Sequence, residues 1–428
     1  MKALEYDVLV VGAGPAGLAA AHSAAACGTS SNISVGLLDD NPHSGGQIWR
    51  GGAGSSKDRR ASTLAQDIGK AKNIRLHLQT RVVHPVAAGE LLTETAGAAA
   101  LFRYKKLILA TGARERLLPF PGWTLPGVMG AGGLQALSKG GYPVAGKRIV
   151  VAGSGPLLLA VAASLVERGA IVSHILEQAR VGQLSRFGLS LLATPGKLRQ
   201  AWQLRRASAP ARYYSNSYVS AAHGEGRLSQ VSALINGKQQ ILDCDYLACG
   251  YGLLPNTELA SALGCRLEDG KVSVDGWQQT SVPQVYCAGE GSGIGGVDLA
   301  LAEGRIAGHA ACGQQQKAGQ FFDERRKWQT FAQRLALGFT LRAELFQLCE
   351  PDTIVCRCED VNYAQLLPHA DWRSAKLHTR CGMGACQGRI CGAATEQLFG
   401  WEKDVARLPI LPTRVESLLL TEASPGTE

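Results

Sequence analysis

Aromatic side chains make up only 6% of the sequence and methionine occurs three times, so aliphatic residues and alanine must build the core. Long apolar runs are also missing. No stretch reaches the roughly 18 residues that a membrane-spanning helix needs. The most apolar N-terminal stretch, residues 8–26, is broken by Gly12, Gly14, Pro15 and Gly17, with Glu5 and Asp7 ahead of it. That pattern reads as a strand and a helix, not as a secretory leader. Acidic residues are in the minority, 35 against 44 Lys plus Arg, which leaves a formal charge of +9. The basic residues are scattered, without a dense run or interleaved aromatics. This argues against a nucleic-acid surface and for an acidic protein partner. No histidine has a spaced partner suited to acid–base work, so no catalytic residue is assigned.

What is present is glycine, 52 residues of it, gathered in clusters along a chain of 428 residues. That length predicts two or three domains. The β-branched run at residues 5–11 reads as a strand buried on both faces, followed by Gly12-Ala13-Gly14-Pro15-Ala16-Gly17 and a helix. This is the context a dinucleotide fingerprint requires. Gly12 permits the tight turn, Gly14 lets backbone approach a pyrophosphate, and Gly17 lets the helix pack close to the strand. Pro15 suits the first helical position, and the helix N-terminus stabilises phosphate charge. Asp40, 23 residues past Gly17, is placed to accept a ribose hydroxyl.

The same unit recurs about 140 residues later. Residues 148–152 form a strand leading to Gly153-Ser154-Gly155-Pro156-Leu157-Leu158. Here Leu158 stands where a third glycine belongs and should hold the helix off the strand. Glu177 ends the next strand and is available for a ribose. A working NAD(P)H site, a nucleotide site used differently (NAD(P) or ATP at Gly153 and Gly155) and a purely structural domain all stay open.

Of the twelve cysteines, seven are scattered and five crowd between Cys356 and Cys391. Such clustering favours metal ligation over disulfides and a cytoplasmic location. The crowd reads Cys356-Arg-Cys358, then Cys381-Gly-Met-Gly-Ala-Cys386-Gln-Gly-Arg-Ile-Cys391. Four thiolates suit an iron–sulfur cluster. Cys386 should lie in the glycine-rich loop and Cys391 at the start of a helix over 390–399, whose N–H groups would ease thiolate charge. Zinc is the competing metal, although a Cys-x-Cys pair is unusual for it.

Two resemblances extend this reading. Gly45-Gly46-Gln47, Ala110-Thr111-Gly112 and Ala288-Gly289-Glu290 resemble three segments that wrap FAD in pyridine-nucleotide-disulfide-reductase-like flavoproteins. The resemblance implies an FAD site made by Gly12, Gly14, Gly17, Asp40, Gly46, Gln47, Val82, Ala110, Thr111, Gly112, Gly289, Glu290, Val297 and Asp298. Glu290 stands where that family usually has Asp on the ribityl chain. A helix starting near Val297 would aim N–H groups at the flavin. The redox cysteine pair of disulfide reductases is missing beside the flavin segment, and Cys244 and Cys249 read as core residues flanking a strand.

The cysteine module is similar to the bacterioferritin-associated-ferredoxin-like (BFD-like) [2Fe–2S] domain of certain flavoprotein subunits. Residues 250–259 and 295–306 match the same group. These are the α subunits of heteromeric amino- and imino-acid dehydrogenases, which include D-hydroxyproline dehydrogenase, opine oxidases, L-proline dehydrogenase and hydrogen cyanide synthase relatives. The resemblance covers nearly the whole chain. It implies Cys356, Cys358, Cys386 and Cys391 as cluster ligands, with Cys381 left over. It also implies electron transfer from a D-amino-acid-oxidase-like, FAD-containing β subunit, a small third ferredoxin-like subunit, and an FMN at the interface with a partner subunit.

The expected fold class is α/β, with two Rossmann-like dinucleotide-binding domains and a small, mainly helical BFD-like domain. The expected boundaries are 1–118 with 280–312 for FAD, 119–279 for the NAD(P)-like domain, 313–349 for a helical bridge, 350–400 for the [2Fe–2S] domain and 401–428 for a tail packing on the body. Two rival functions remain: a self-sufficient NAD(P)H-dependent FAD/[2Fe–2S] reductase, and a non-catalytic interaction subunit stabilised by flavin and zinc.

Overall fold

The computed structural model describes residues 3–29, 33–56, 58–402 and 407–419. The chain packs as two units. One is formed by Met1–Arg114, Leu254–Ala332 and Val405–Glu428, the other by Glu115–Leu253 and Gln333–Asp404. No helix among the described residues is long and apolar enough to cross a membrane.

The first unit is built on a seven-stranded sheet. Leu4–Val11 lies at its centre, parallel to Val35–Leu38 on one side and to Ala99–Leu109 on the other. Ile74–His77 and Val285–Cys287 add further parallel strands, and the hairpin Arg81–Ala87/Glu90–Glu94 adds antiparallel ones. The near-continuous apolar run of the central strand follows from burial on both faces. Val8 and Val10 join a core with the helices Pro15–Ala25 and Gly296–Ala311, while Leu9 and Val11 join one with Leu259, Ala260, Cys265 and Val272.

The helix Pro15–Ala25 starts from an extended Gly14, with proline at its first position. Its side chains are nearly all small because backbone approaches it closely from two sides. A Cβ on Gly17 would sit 1.7 Å from Gly12 O, and Cβ atoms on Gly304 and Gly308 would sit 2.2 and 2.3 Å from Ala16 O and Ala20 O. A side chain at Gly17 would push the helix off the strand turn, and one at Gly304 or Gly308 would push the two helices apart.

The second unit repeats the pattern in a five-stranded sheet, all parallel, in the order Arg212–Tyr214, Ile171–Glu177, Arg148–Gly153, Tyr246–Gly250, Val128–Gly130. A three-stranded antiparallel sheet, Ser217–His223, Gln230–Ile235 and Lys238–Asp243, accompanies it. Leu158 is buried, and Gly250 makes room for it, since a Cβ there would stand 3.1 Å from Leu158 Cδ2. The expected displacement is thus absorbed by a glycine on the neighbouring strand. Cys244 and Cys249 are buried in this unit's core.

Two boundaries differ from expectation. Residues 254–279 belong to the first unit, because Leu259, Ala260, Cys265 and Val272 complete its core. The segment 313–349 is not one bridge: it holds the helices Gln315–Gly319 and Phe322–Gly338 and a short 3-10 turn, Ala343–Gln347, and the units divide it after Ala332. The cysteine-rich residues fall within the second unit and have a core of their own, formed by Val355, Cys356, Leu366, Trp372, Cys381 and Cys391. Of the tail, residues 407–419 lie on the first unit, where Ile410 N–H donates to Val83 O at 3.0 Å and Arg414 Nε donates to Glu94 Oε1 at 2.9 Å. Residues 403–406 and 420–428 of that tail lie outside the described residues.

Candidate functional site

In the first glycine loop, Gly12 has φ 104°, and its N–H donates to Leu38 O at 2.8 Å. Gly14 and Gly46 face each other, so that a Cβ on Gly46 would stand 3.0 Å from Gly14 Cα. Of the two acids ending the next strand, Asp39 is buried and committed to the loop. Its Oδ2 accepts from Ala13 N–H at 2.6 Å and its Oδ1 from Asn41 N–H at 2.9 Å. Asp40 is exposed beside it, taking Asn41 Nδ2 at 2.8 Å. Gln47 is exposed as well and accepts from Arg50 Nη1 at 2.6 Å.

The other expected cofactor segments converge on the same sheet. Ala110 N–H donates to Val11 O at 2.8 Å, and the Val82 side chain is buried in the core, which leaves its backbone for any contact. Thr111 and Asn256 brace one another. Thr111 Oγ1 donates to Asn256 O at 2.7 Å, and Asn256 Nδ2 donates to Thr111 O at 2.9 Å. Gly112 is left-handed, with φ 68°, and no atom lies within 4 Å of where its Cβ would be. Gly289 N–H donates to Glu303 Oε2 at 2.9 Å. Burial pushes the Glu303 carboxyl up to about 7.

Glu290 carries the test of fit for a flavin nucleotide. Its Oε1 accepts from Gly296 N–H at 2.9 Å, so it caps the helix Gly296–Ala311. Its Oε2 is buried and has no hydrogen-bond partner among the described residues. A buried acceptor without a donor is costly, and a ribityl hydroxyl is a donor of the right kind. Burial also raises the Glu290 pKa. Val297 and Asp298 lie in the first turn of that helix, where Asp298 Oδ1 pairs with Arg60 Nη1 at 2.6 Å. Arg60 also holds Asp58 at 2.8 Å, and Asp58 accepts from Trp49 Nε1 at 3.3 Å. Sequence reading missed Arg60 and Asp58; with 238 residues between Arg60 and Asp298, no spacing could have linked them.

The second glycine loop is engaged by its own chain. Glu177, expected at a ribose, is buried and takes Gly155 N–H at 2.7 Å and Ala179 N–H at 2.8 Å. Burial pushes its carboxyl up to about 7. Strand register explains the difference: Glu177 pairs with Gly153, the position that Asp39, not Asp40, holds in the first fold. The counterpart of Asp40 is Gln178. Its Nε2 donates to Ser154 Oγ at 3.0 Å and Thr340 O at 3.1 Å, and its Oε1 accepts from Arg342 N–H at 3.1 Å. Ser154 Oγ donates to Phe339 O at 3.1 Å. Residues 339–342 therefore lie along the loop's mouth, with the Phe339 ring 5.0 Å from that of Phe187.

The five clustered cysteines come together. Cys356, Cys381 and Cys391 are buried, with their Sγ atoms within 4.8 Å of one another. The Cys386 thiol is within hydrogen-bonding reach of both Cys391 and Cys358. Cys358 is exposed and Cys386 half-buried. Hydrogen bonds from Cys381 and Cys391, with backbone N–H groups of Gly382 and Glu359, hold the Cys356 thiol well below its usual range. The loop wraps tightly, since a Cβ on Gly384 would stand 2.2 Å from Cys358 Cβ. Cys391 opens the helix Cys391–Phe399. The donor set is all sulfur, which suits iron–sulfur clusters or zinc. Cys381, left out of the motif's four, is completely buried inside this group.

Comparison with known proteins agrees with this architecture. The family model for pyridine nucleotide-disulphide oxidoreductases matches residues 6–308. An opine oxidase subunit from Agrobacterium tumefaciens is 31% identical over 96% of this chain and 91% of its own length. Hydrogen cyanide synthase subunit HcnB of Pseudomonas aeruginosa is 32% identical over 94% of this chain and 96% of its own. Among solved structures, L-proline dehydrogenase from P. horikoshii superposes with a TM-score of 0.70 at 19% identity, covering 97% of this chain and 80% of that one. Thioredoxin reductase from T. acidophilum does so with a TM-score of 0.54 at 22% identity, covering 73% and 99%. These matches imply FAD binding, and the chain belongs to the pyridine nucleotide-disulphide oxidoreductase family, within the group of flavoprotein subunits that includes HcnB and the opine oxidase relative.

Proposed function

We propose that this chain is the electron-transferring flavin and iron–sulfur subunit of a heteromeric D-hydroxyproline dehydrogenase or a related opine or proline dehydrogenase. In this reading a D-amino-acid-oxidase-like β subunit oxidises the substrate, and this chain carries the electrons onward. The carrying observation is the second glycine loop. Its Gly155 N–H, Ser154 hydroxyl and Gln178 amide are bound to Glu177 and to residues 339–342. A reductase fed by NAD(P)H would present these groups to its nucleotide, and their engagement by the chain itself supports a reductant that enters elsewhere. The curated relatives are themselves named as subunits, which supports a partner.

FAD would accept an electron pair, and a [2Fe–2S] cluster would release electrons singly. The chain's own residues bind and orient. Gly12, Gly14 and Gly46 admit the pyrophosphate, Asp40 takes the adenosine ribose and Glu290 Oε2 takes a ribityl hydroxyl. Glu303 holds the Gly289 turn in place. Cys356, Cys358, Cys386 and Cys391 would hold the cluster, with the buried Cys381 beside Cys356 and Cys391. The three buried thiols are the specific observation behind the zinc alternative, and metal analysis of the purified chain decides between the two.

Three outcomes test this reading. Purified alone, with a dye as acceptor, the chain oxidises no amino acid; addition of the β subunit brings turnover. Robust oxidation of D-hydroxyproline or proline by the chain alone overturns its placement in a heteromeric enzyme. Asp40→Ala weakens FAD binding by one charged hydrogen bond, about 1.5–3 kcal/mol, or roughly ten- to hundred-fold. Asp39→Ala should weaken it less, so equal flavin retention in the two variants would remove Asp40 from the site. Cys358→Ser and Cys386→Ser each abolish the iron absorption, while Cys381→Ser keeps most of it. The reverse pattern assigns the metal to the three buried thiols.

A further inference from the structure

Away from the flavin cradle and the cysteine-rich loop, two further cysteines meet. The helices Pro15–Ala25 and Gly296–Ala311 cross with backbone nearly touching backbone at Gly304/Ala16 and Gly308/Ala20. Cys312 follows at the next i+4 step, so the same face of the helix carries it to the end of the crossing. There it meets Cys27, in the 3-10 turn that ends the other helix. The two thiols are aimed at consecutive carbonyls, Cys27 Sγ at Ser23 O (3.1 Å) and Cys312 Sγ at Ala24 O (3.7 Å). They are within hydrogen-bonding reach of each other. His309 Nδ1 lies 3.6 Å from Cys27 Sγ. Cys27 is 3% exposed and Cys312 is partly open to solvent.

We propose that Cys27 and Cys312 are an oxidation site that forms a reversible disulfide at the expense of a small-molecule disulfide such as oxidised glutathione. The accessible Cys312, passing its proton to the Cys27 sulfur that it faces, attacks one sulfur of the oxidant, forms a mixed disulfide and releases one glutathione thiolate. Cys27 then passes its proton to His309 Nδ1 and attacks Cys312 Sγ. That step forms the internal S–S bond and expels the second glutathione. Two protein thiols are oxidised and one glutathione disulfide is reduced to two thiols, so electrons and protons balance. Of the groups that lower the Cys27 pKa, the Cys312 thiol is consumed in the first step and His309, 3.6 Å away, remains to favour the second.

The bond would staple the C-terminal ends of the two helices whose N-termini, at Gly14 and Gly296, face the flavin cradle. A link across so long a stretch of chain restricts the unfolded state strongly. The oxidised form should therefore melt higher than the reduced form, and dithiothreitol should reverse the change.

The test is peptide mapping by mass spectrometry of the purified full chain after incubation with oxidised glutathione. A digest under non-reducing conditions should yield a cross-linked peptide pair containing Cys27 and Cys312. Cys27→Ser should stop the reaction at the mixed disulfide on Cys312, and His309→Asn should slow closure without blocking it. Mapping separates this pair from the five cysteines of the metal group, so the readout depends neither on iron content nor on a partner. Glutathione accumulating on wild-type Cys312 without the cross-link, or no modification of either cysteine, would overturn the proposal.

Discussion

Backbone packed directly on backbone is the constraint on which the first unit depends. The helix Pro15–Ala25 touches the strand turn through Gly17 and the helix Gly296–Ala311 through Gly304 and Gly308, each at distances that leave no room for a Cβ. The N-terminus of the first helix opens at Gly14, over the expected pyrophosphate position, and that of the second opens beside Glu290. Both lie on the same central sheet because nothing larger than hydrogen separates the helices. Close packing thus gathers two helix N-termini into one cradle, and that gathering suits a long, doubly charged nucleotide.

The same architecture is put to different use in the second unit. A leucine replaces the third glycine, and Gly250 absorbs the extra volume. Asp39 in the first fold and Glu177 in the second both accept from their glycine loops, and the two folds part at the next position, where Asp40 is exposed and Gln178 is buried. Glu177 closes on Gly155 and Ala179, and Gln178 closes on Ser154 and residues 339–342. A buried carboxylate with two backbone donors, together with an amide satisfied at both ends, leaves little capacity for a ligand.

Much of this was legible in the sequence, and for physical reasons. The paired strand–glycine–helix units announce themselves through short-range rules: positive φ, helix starts and buried parallel strands. Spacing picks Asp40 over Asp39 as the candidate ribose acid, and the structure leaves Asp40 exposed while Asp39 is buried on the loop. What spacing could not show was register. Glu177 looked like a ribose acid until its pairing with Gly153 aligned it with Asp39. The five cysteines were recognisable as a group, yet the burial of Cys381 against Cys356 and Cys391 depends on how the loop from 381 to 391 folds back. Arg60 with Asp298, and Cys27 with Cys312, are long-range pairs that no local pattern encodes. The boundary expected at 279 failed similarly, because it was drawn from motif positions while the core of the first sheet recruits Leu259 to Val272.

The account turns on where electrons enter, and the second glycine loop is where a pyridine nucleotide would deliver them. The most direct measurement is an anaerobic titration of the purified, FAD-loaded chain with NADH and then NADPH, following the flavin absorbance. With Gly155, Ser154 and Gln178 bound to the chain itself, the oxidised flavin spectrum should persist through excess of either nucleotide. Stoichiometric bleaching by NADH or NADPH would contradict the account and make the chain a reductase in its own right.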